Sequence, residues 1–465
     1  MPSDSPNIAV VVLDTLRYDA FEEHFEWLPG TRFENTWSPS HWTLPAHASL
    51  YTGRYPSEVD VHAEQPEFDC ETPALAERLQ DVGYTTRGYT CNTVVGDAFG
   101  FDRGFDHLER LGYQNEKMRH SQDPDLFNWS SFIREHQPHE APWRYPLGVW
   151  KCLTADCNTL ESLKYGYNLK FNAGSDRGSD MGAQSILDSL QSLDAASEEF
   201  LYLNLMEAHT PYQIPEEYKE VPDDAILFPE NPVGSLDTDR DIDVEAIRTR
   251  YGNAARYLSD IYHTIFDELR KDYDYIITLS DHGELLGEHG HLGHGFGVYP
   301  ELTHVPLTVY GGEITTTTND SLVSLLDVHC TVLELAGLDA SDSRGRNLLD
   351  DNVAGRAPDT GILTESHGIT FPSKNREALQ EWASTQAVLD AYLKWRRGIA
   401  FPEYYGYDSI ENFVENGTAP IDDVRAEIER LIAGFETSTI GGDDGAGPEL
   451  SEDIESNLED LGYIG

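Results

Sequence analysis

Three apolar runs in this chain stop at carboxylates. Ile8–Leu13 is followed by Asp14 and Thr15, Phe200–Met206 by Glu207 and His209, and Tyr275–Ser280 by Asp281, His282 and Glu284. One carboxylate at the end of a strand is read as a helix cap. Three on one rim of a sheet point to a divalent-cation site, because hard cations take oxygen ligands. Oxygen donors with few imidazoles and no thiolate suit Mn, Mg or Ca better than Zn.

Two further clusters add chemistry. In Ser40–Arg54 (SHWTLPAHASLYTGR), Thr43, Pro45 and His47 stand at i, i+2 and i+4, where a helix begins that ends at Gly53. A hydroxyl there sits among unpaired N–H groups at the positive end of the helix, which favours a tetrahedral oxyanion. Alternatively, Thr43 only caps that helix. In Ser280–Gly295, four His and three acidic residues fall in sixteen positions, with Gly at five of them. The glycines allow the backbone to turn tightly around a site.

The elements that must position these groups alternate along the chain. Ile8–Leu13, Tyr84–Cys91, Phe200–Met206, Tyr275–Ser280 and His304–Tyr310 read as strands. Helices are expected from Thr72-Pro73 to Val82, over Met181–Leu193 and Ile247–Arg270, and over Ser321–Leu338 with a stop at Gly337. Such alternation predicts an α/β fold with a mostly parallel central sheet flanked by helices, with ligands bound at the carboxyl edge. A Trp-, His-, Pro- and Tyr-rich stretch, 113–180, reads as an insertion within a catalytic domain spanning 1–350. Residues 351–465 read as a smaller C-terminal subdomain and tail. Gly361–Glu365 and Ala387–Tyr392 are expected there as strands, Ile421–Ala433 as a helix, Gly441–Pro448 as a linker and Glu449–Leu461 as a closing helix.

Charge narrows the class. The 465 residues carry 32 Lys plus Arg against 83 Asp plus Glu, a net charge of −51. That balance excludes a nucleic-acid binder, which needs a basic face. Only 8 of the 32 basic residues are Lys, yet 39% of the chain is hydrophobic, so it folds rather than behaving as an acidic tail. We read it as adapted to a salty interior, where a Debye length of ~3 Å screens self-repulsion. Five cysteines give no disulfide framework and no zinc spacing. No apolar run approaches the ~20 residues needed to span a bilayer, and the expected compartment is the cytoplasm.

Taken together, VVVLDTLRYDAF (Val10–Phe21), SHWTLPAHASLYTGRYP (Ser40–Pro56), LYLNLMEAHTPY (Leu201–Tyr212), TLSDHGELLGEHG (Thr278–Gly290) and HVPLTVYGG (His304–Gly312) resemble the sulfatase branch of the alkaline phosphatase superfamily, in that family's order. SLLDVHCTVLELAGL (Ser324–Leu338) and the terminal LEDLGYIG resemble its last core helix and closing segment. The resemblance implies an alkaline-phosphatase-like sheet with one metal at its edge. Asp14, Asp281 and His282 match metal ligands, and Thr43 matches the nucleophile that also touches the metal. His47 matches a position usually held by Arg, which orients the nucleophile. His209 and His294 match the residues that hold the ester and serve the leaving group. Glu207 and Arg54 are further candidate substrate contacts.

Two departures change the expected chemistry. The family carries Cys or Ser at position 43 and oxidises it to formylglycine, which Thr cannot become. Thr15 replaces the second Asp of the usual pair. The expected activity is therefore a metal-dependent hydrolase of a sulfate or phosphate ester acting through a Thr nucleophile and a covalent intermediate, without formylglycine. Phosphodiester cleavage or phospho-group transfer to a sugar or lipid acceptor is the alternative. A degenerate binder of anionic glycans is the alternative of another class. The salt reading predicts that the midpoint of thermal unfolding rises by more than ten degrees between roughly 0.1 M and 3 M KCl. Equal midpoints at both salts would contradict it.

Overall fold

The computed structural model describes residues 5–112, 125–129, 132, 136, 143–155, 157–171, 180–312, 316–350, 361–435 and 454, 455, 458, 461 and 463. Eight strands form the main sheet. They are β1 (Ile8–Leu13), β2 (Thr31–Trp37), β3 (Thr85–Thr90), β4 (His107–Arg110), β5 (Glu199–Leu205), β6 (Tyr275–Leu279), β9 (Leu307–Gly311) and β10 (Thr317–Ser324). A two-residue hairpin, β7 (Leu285–Leu286) and β8 (Leu292–Gly293), lies between β6 and β9. The sheet order is β10-β2-β9-β6-β1-β5-β3-β4. Every pairing is parallel except those of β9, which runs against both β2 and β6.

Sequence dictates this centre. All six side chains of β1 and all seven of β5 are buried, as expected for parallel strands covered on both faces. Successive strands leave β1 toward opposite edges of the sheet. The carboxyl end of β1 is thus a topological switch point, where open α/β sheets bind ligands. The helix Val244–Leu269, capped by Asp243 accepting from the Ala246 N–H, covers one face and packs on Tyr18–His24 and Ala183–Gln191.

A second sheet, β11 (Ile362–Ser366), β12 (Arg396–Phe401), β13 (Tyr404–Asp408) and β14 (Phe413–Gly417), is antiparallel throughout. It docks through the Glu365 N–H, which donates to the Pro39 carbonyl at 2.9 Å. Helices Pro372–Trp382, Gln386–Leu393 and Val424–Ala433 accompany it.

Three expectations change. Ser321–Leu338 is not one helix: Ser321–Ser324 close β10, and the Ser324 hydroxyl caps the helix Leu325–Leu335. A serine followed by a helical apolar period marks that start. Ala387–Tyr392 is helical, because Thr385 caps Gln386–Leu393 by accepting from Val388. A short apolar run does not distinguish strand from buried helix. The helix expected from Thr72-Pro73 begins only at Leu75, where Glu77 reaches back to the Ala74 N–H. Gly441–Pro448 lies outside the described residues, as does most of Glu449–Leu461. Of the latter, Leu458 and Leu461 are buried in the main core and Ile454 packs against it.

Where β5 ends, Glu207 turns toward the helix Ala183–Gln191 and accepts from the Ala183 N–H at 2.8 Å. Its other oxygen is buried without a hydrogen-bond partner among the described residues. Burial and the neighbouring Asp180 push its carboxyl from the usual 4.5 up to about 8. Because the folded value is raised, the native chain keeps this proton after the unfolded chain has released it. Stability therefore falls as pH rises from about 4.5 to about 8, by on the order of a few kcal/mol. Glu207→Gln removes that dependence. The unfolding midpoint of the variant should gain several degrees on wild type between pH 5 and pH 8, and parallel profiles would contradict the assignment.

Candidate active site

Asp14 and Asp281 follow β1 and β6 directly, so neighbouring strands deliver both carboxylates to one spot. Each has one oxygen held by the protein. Asp14 Oδ2 accepts from Asn92 Nδ2 at 2.8 Å and from Asn204 Nδ2 at 3.1 Å. Asp281 Oδ1 accepts from the N–H of His282 at 3.0 Å and of Thr15 at 3.4 Å. The remaining oxygens, Asp14 Oδ1 and Asp281 Oδ2, are buried and have no hydrogen-bond partner among the described residues. His282 Nδ1 donates to the Gly283 carbonyl at 3.0 Å, which leaves a lone pair on Nε2. Nε2 stands 3.4 Å from Asp281 Oδ2 and 3.8 Å from Asp14 Oδ1.

These three ligand atoms lie within 4.8 Å of one another. Burial, with Asp14 beside it, holds the Asp281 carboxyl well above its ordinary range. Burial also keeps His282 neutral. Two bare carboxylate oxygens and an imidazole lone pair are the donor set of a hard divalent cation, and the residues present fit one. Thr15 supplies no ligand here. It sits at φ 58°, rare for a β-branched residue, and its hydroxyl donates to the Asp14 carbonyl at 2.7 Å.

Thr43 opens the buried helix Thr43–Thr52, where the first N–H groups lack helical partners. Its Oγ1 lies 3.2 Å from His282 Nε2, so a hydroxyl at a helix start adjoins the cation-binding cluster. His47, one turn on, does not touch that hydroxyl. Its Nδ1 donates to the Thr43 carbonyl at 2.9 Å, and its Nε2 accepts from the Tyr202 hydroxyl at 2.6 Å. It therefore holds the backbone of the first helical turn, and the same Nδ1 borders the carboxylate pair, 3.5 Å from Asp281 Oδ2. Burial lowers its pKa.

His209 and His294 face each other, ring centroids 4.9 Å apart. His294 Nδ1 donates to Glu284 Oε1 at 3.0 Å, and His209 Nδ1 to the Thr210 carbonyl at 2.7 Å. A cleft of about 400 Å³ leads to His294, lined by Thr210, Phe228, Pro232, Leu292 and Leu461. Glu207 is not with them, since it caps the helix Ala183–Gln191. Arg54 lies beyond the end of the helix Thr43–Thr52, which stops at Gly53, and its Nη1 faces Glu58 at 3.8 Å.

Sequence reasoning gave no role in the site to four residues. Asn92 and Asn204 hold Asp14, Glu284 holds His294, and the Tyr463 hydroxyl lies 2.8 Å from Thr43 Oγ1. Asn204 was the findable one, as the single polar side chain inside the run FLYLNLM. Tyr463 lies 420 residues from its partner, and no local pattern announces it.

Comparisons with known proteins agree with this geometry. The family model described as Sulfatase matches residues 6–338. A choline-sulfatase of Rhizobium meliloti is 24% identical over 383 residues, covering 74% of this chain and 70% of that protein. The uncharacterized sulfatase YidJ of Escherichia coli is 22% identical over 366 residues, covering 72% and 66%. Among solved structures, the phosphonate monoester hydrolase SpPMH of Silicibacter pomeroyi superposes with a TM-score of 0.61 at 16% identity, covering 92% of this chain and 94% of that one. The family model spans most of the chain, which therefore belongs to the sulfatase family.

Proposed function

We propose that this sulfatase-family hydrolase cleaves sulfate or phosphate esters with Thr43 as nucleophile, through a covalent threonine ester. The observation that carries the reading is the 3.2 Å approach of Thr43 Oγ1 to His282 Nε2, beside the bare oxygens of Asp14 and Asp281. A divalent ion held by Asp14, Asp281 and His282 would supply positive charge to the Thr43 oxygen and to a non-bridging ester oxygen. Thr43 then attacks phosphorus or sulfur from the start of its helix. His294, oriented by Glu284, protonates the departing alcohol oxygen and later takes a proton from the attacking water. His47 holds the Thr43 carbonyl and so fixes the angle from which the hydroxyl attacks.

Thr43 also bears on the ester. Its Cβ carries a methyl group, so oxidation would give a ketone and not the formylglycine aldehyde. A hydroxyl nucleophile favours phosphorus esters, and the fold likeness to phosphonate monoester hydrolases is compatible with that. The 400 Å³ cleft, walled by Phe228, Pro232 and Leu461, would receive the alcohol portion. We further read the chain as cytoplasmic and salt-adapted. No disulfide links its five cysteines, and no helix among the described residues is long and apolar enough to cross a membrane.

Two outcomes test this. A panel of p-nitrophenyl sulfate, phosphate, phosphonate and phosphodiester substrates, run with Mn²⁺, Mg²⁺ or Ca²⁺ at high salt, should show turnover of at least one. That turnover should fall roughly 10³-fold or more in Thr43→Ala and in Asp281→Asn. Quenched reactions with a slow substrate should yield a peptide containing Thr43 with the added sulfuryl or phosphoryl mass. Full activity in Thr43→Ala would overturn the nucleophile.

A further inference from the structure

The carboxy-terminal segment returns to the centre of the molecule and places Tyr463 against Thr43. The Tyr463 backbone is held on both sides: its N–H donates to the Leu458 carbonyl at 2.8 Å, and its carbonyl accepts from Asn375 Nδ2 at 2.8 Å. Its ring packs against Trp42, Phe371, His209 and His294. The residue is 2% exposed, so this is a built position and not a tail lying on the surface.

Its hydroxyl lies 2.8 Å from Thr43 Oγ1 and 3.1 Å from His209 Nε2, and the Asn92 side chain also donates to its oxygen. The directions of these bonds follow from the donor inventory. His209 Nδ1 faces the Thr210 carbonyl at 2.7 Å, which can only accept, so Nδ1 carries the proton. Nε2 of the neutral ring must then accept, and the Tyr463 O–H donates to it. The Thr43 hydroxyl then faces two acceptors, the Tyr463 oxygen at 2.8 Å and the His282 Nε2 lone pair at 3.2 Å, and it is directed to Tyr463 when that lone pair is given to a divalent ion. One directed path results, from Thr43 O–H to Tyr463 O–H to His209 Nε2.

We propose that Tyr463 is a catalytic residue that relays the proton of the Thr43 hydroxyl to His209 as the nucleophile attacks. This rests on the Thr43 reading above. As Thr43 Oγ1 bonds to phosphorus or sulfur, its proton moves to the Tyr463 oxygen and the Tyr463 proton moves to His209 Nε2. The bond to the leaving alcohol breaks, and that alcohol takes its proton from His294. In the second step water attacks, and one of its protons goes to His294. The Thr43 ester bond breaks, and the proton on His209 returns through Tyr463 to Thr43. Both histidines end in their starting states. The division of labour is specific: His209 serves the nucleophile and His294 serves the leaving group.

The test is Tyr463→Phe in the full chain, which keeps the ring contacts and removes only the hydroxyl. Single-turnover rates are measured for aryl phosphates, sulfates and phosphonates whose leaving phenols differ widely in acidity. The relay predicts a fall of about 10²-fold. That fall should be equal for good and poor leaving groups, with KM changed little and the solvent deuterium isotope effect on Thr43 ester formation reduced. His294→Ala should instead lose more with poorer leaving groups. Unchanged rates in Tyr463→Phe would overturn the relay. A loss that grows with leaving-group basicity would overturn it by placing Tyr463 on the departing oxygen. A faster variant would overturn it by making the tail a plug. If wild type turns over none of the esters while Tyr463→Phe and wild type behave alike, the hydrolase reading fails and the relay fails with it.

Discussion

The site depends on two carboxylates buried a few ångströms apart with no cation of the protein's own between them. Burying one unpaired carboxylate is costly, and placing a second beside it forces one to keep a proton or both to share a positive partner. The chain does not relieve this. It fixes one oxygen of each group, Asp14 by two amides and Asp281 by two backbone N–H groups, and leaves the other oxygen of each bare. Holding such a pair in place takes a rigid frame. Five contiguous parallel strands, with β1 and β5 buried on both faces at their centre, provide it.

Much else follows from that cluster. His282 is fixed in the tautomer that presents a lone pair, because its Nδ1 is bonded to the Gly283 carbonyl. The strained Thr15 turns a backbone N–H toward Asp281 and keeps its side chain away from the ligand face. Thr43 reaches the cluster from a different element, the helix that follows β2, and His47 secures its backbone one turn later. Behind this, the Glu284–His294 and Thr210–His209 contacts orient two imidazoles that come from segments after β5 and β6.

The sequence made legible what local rules govern. The runs ending before Asp14 and Asp281 led to the sheet and to the three side chains that the structure gathers at its edge, because ligands of open α/β sheets collect where the strands end. Thr43 was readable from its place at a helix start. Glu207 and Arg54 share a common limit. Proximity in sequence to a site says nothing of direction: Glu207 turns toward the helix Ala183–Gln191, and Arg54 lies beyond the end of the helix that Thr43 opens. The antiparallel setting of β9, the strand β10 and the C-terminal sheet depend on tertiary pairing, which short apolar segments do not encode. Tyr463 illustrates the limit most clearly, since its meaning exists only once the chain's last residues have docked against its first helices.

The most direct measurement is the metal content and cation affinity of the purified chain. Stripped protein titrated with Mn²⁺ at high salt should take up one ion per chain, and Asp281→Asn should lose most of that affinity while retaining its fold. Wild-type protein that binds no divalent cation, or binds it equally well in Asp281→Asn, would contradict the claim that the bare oxygens of Asp14 and Asp281 form the centre on which the enzyme is built.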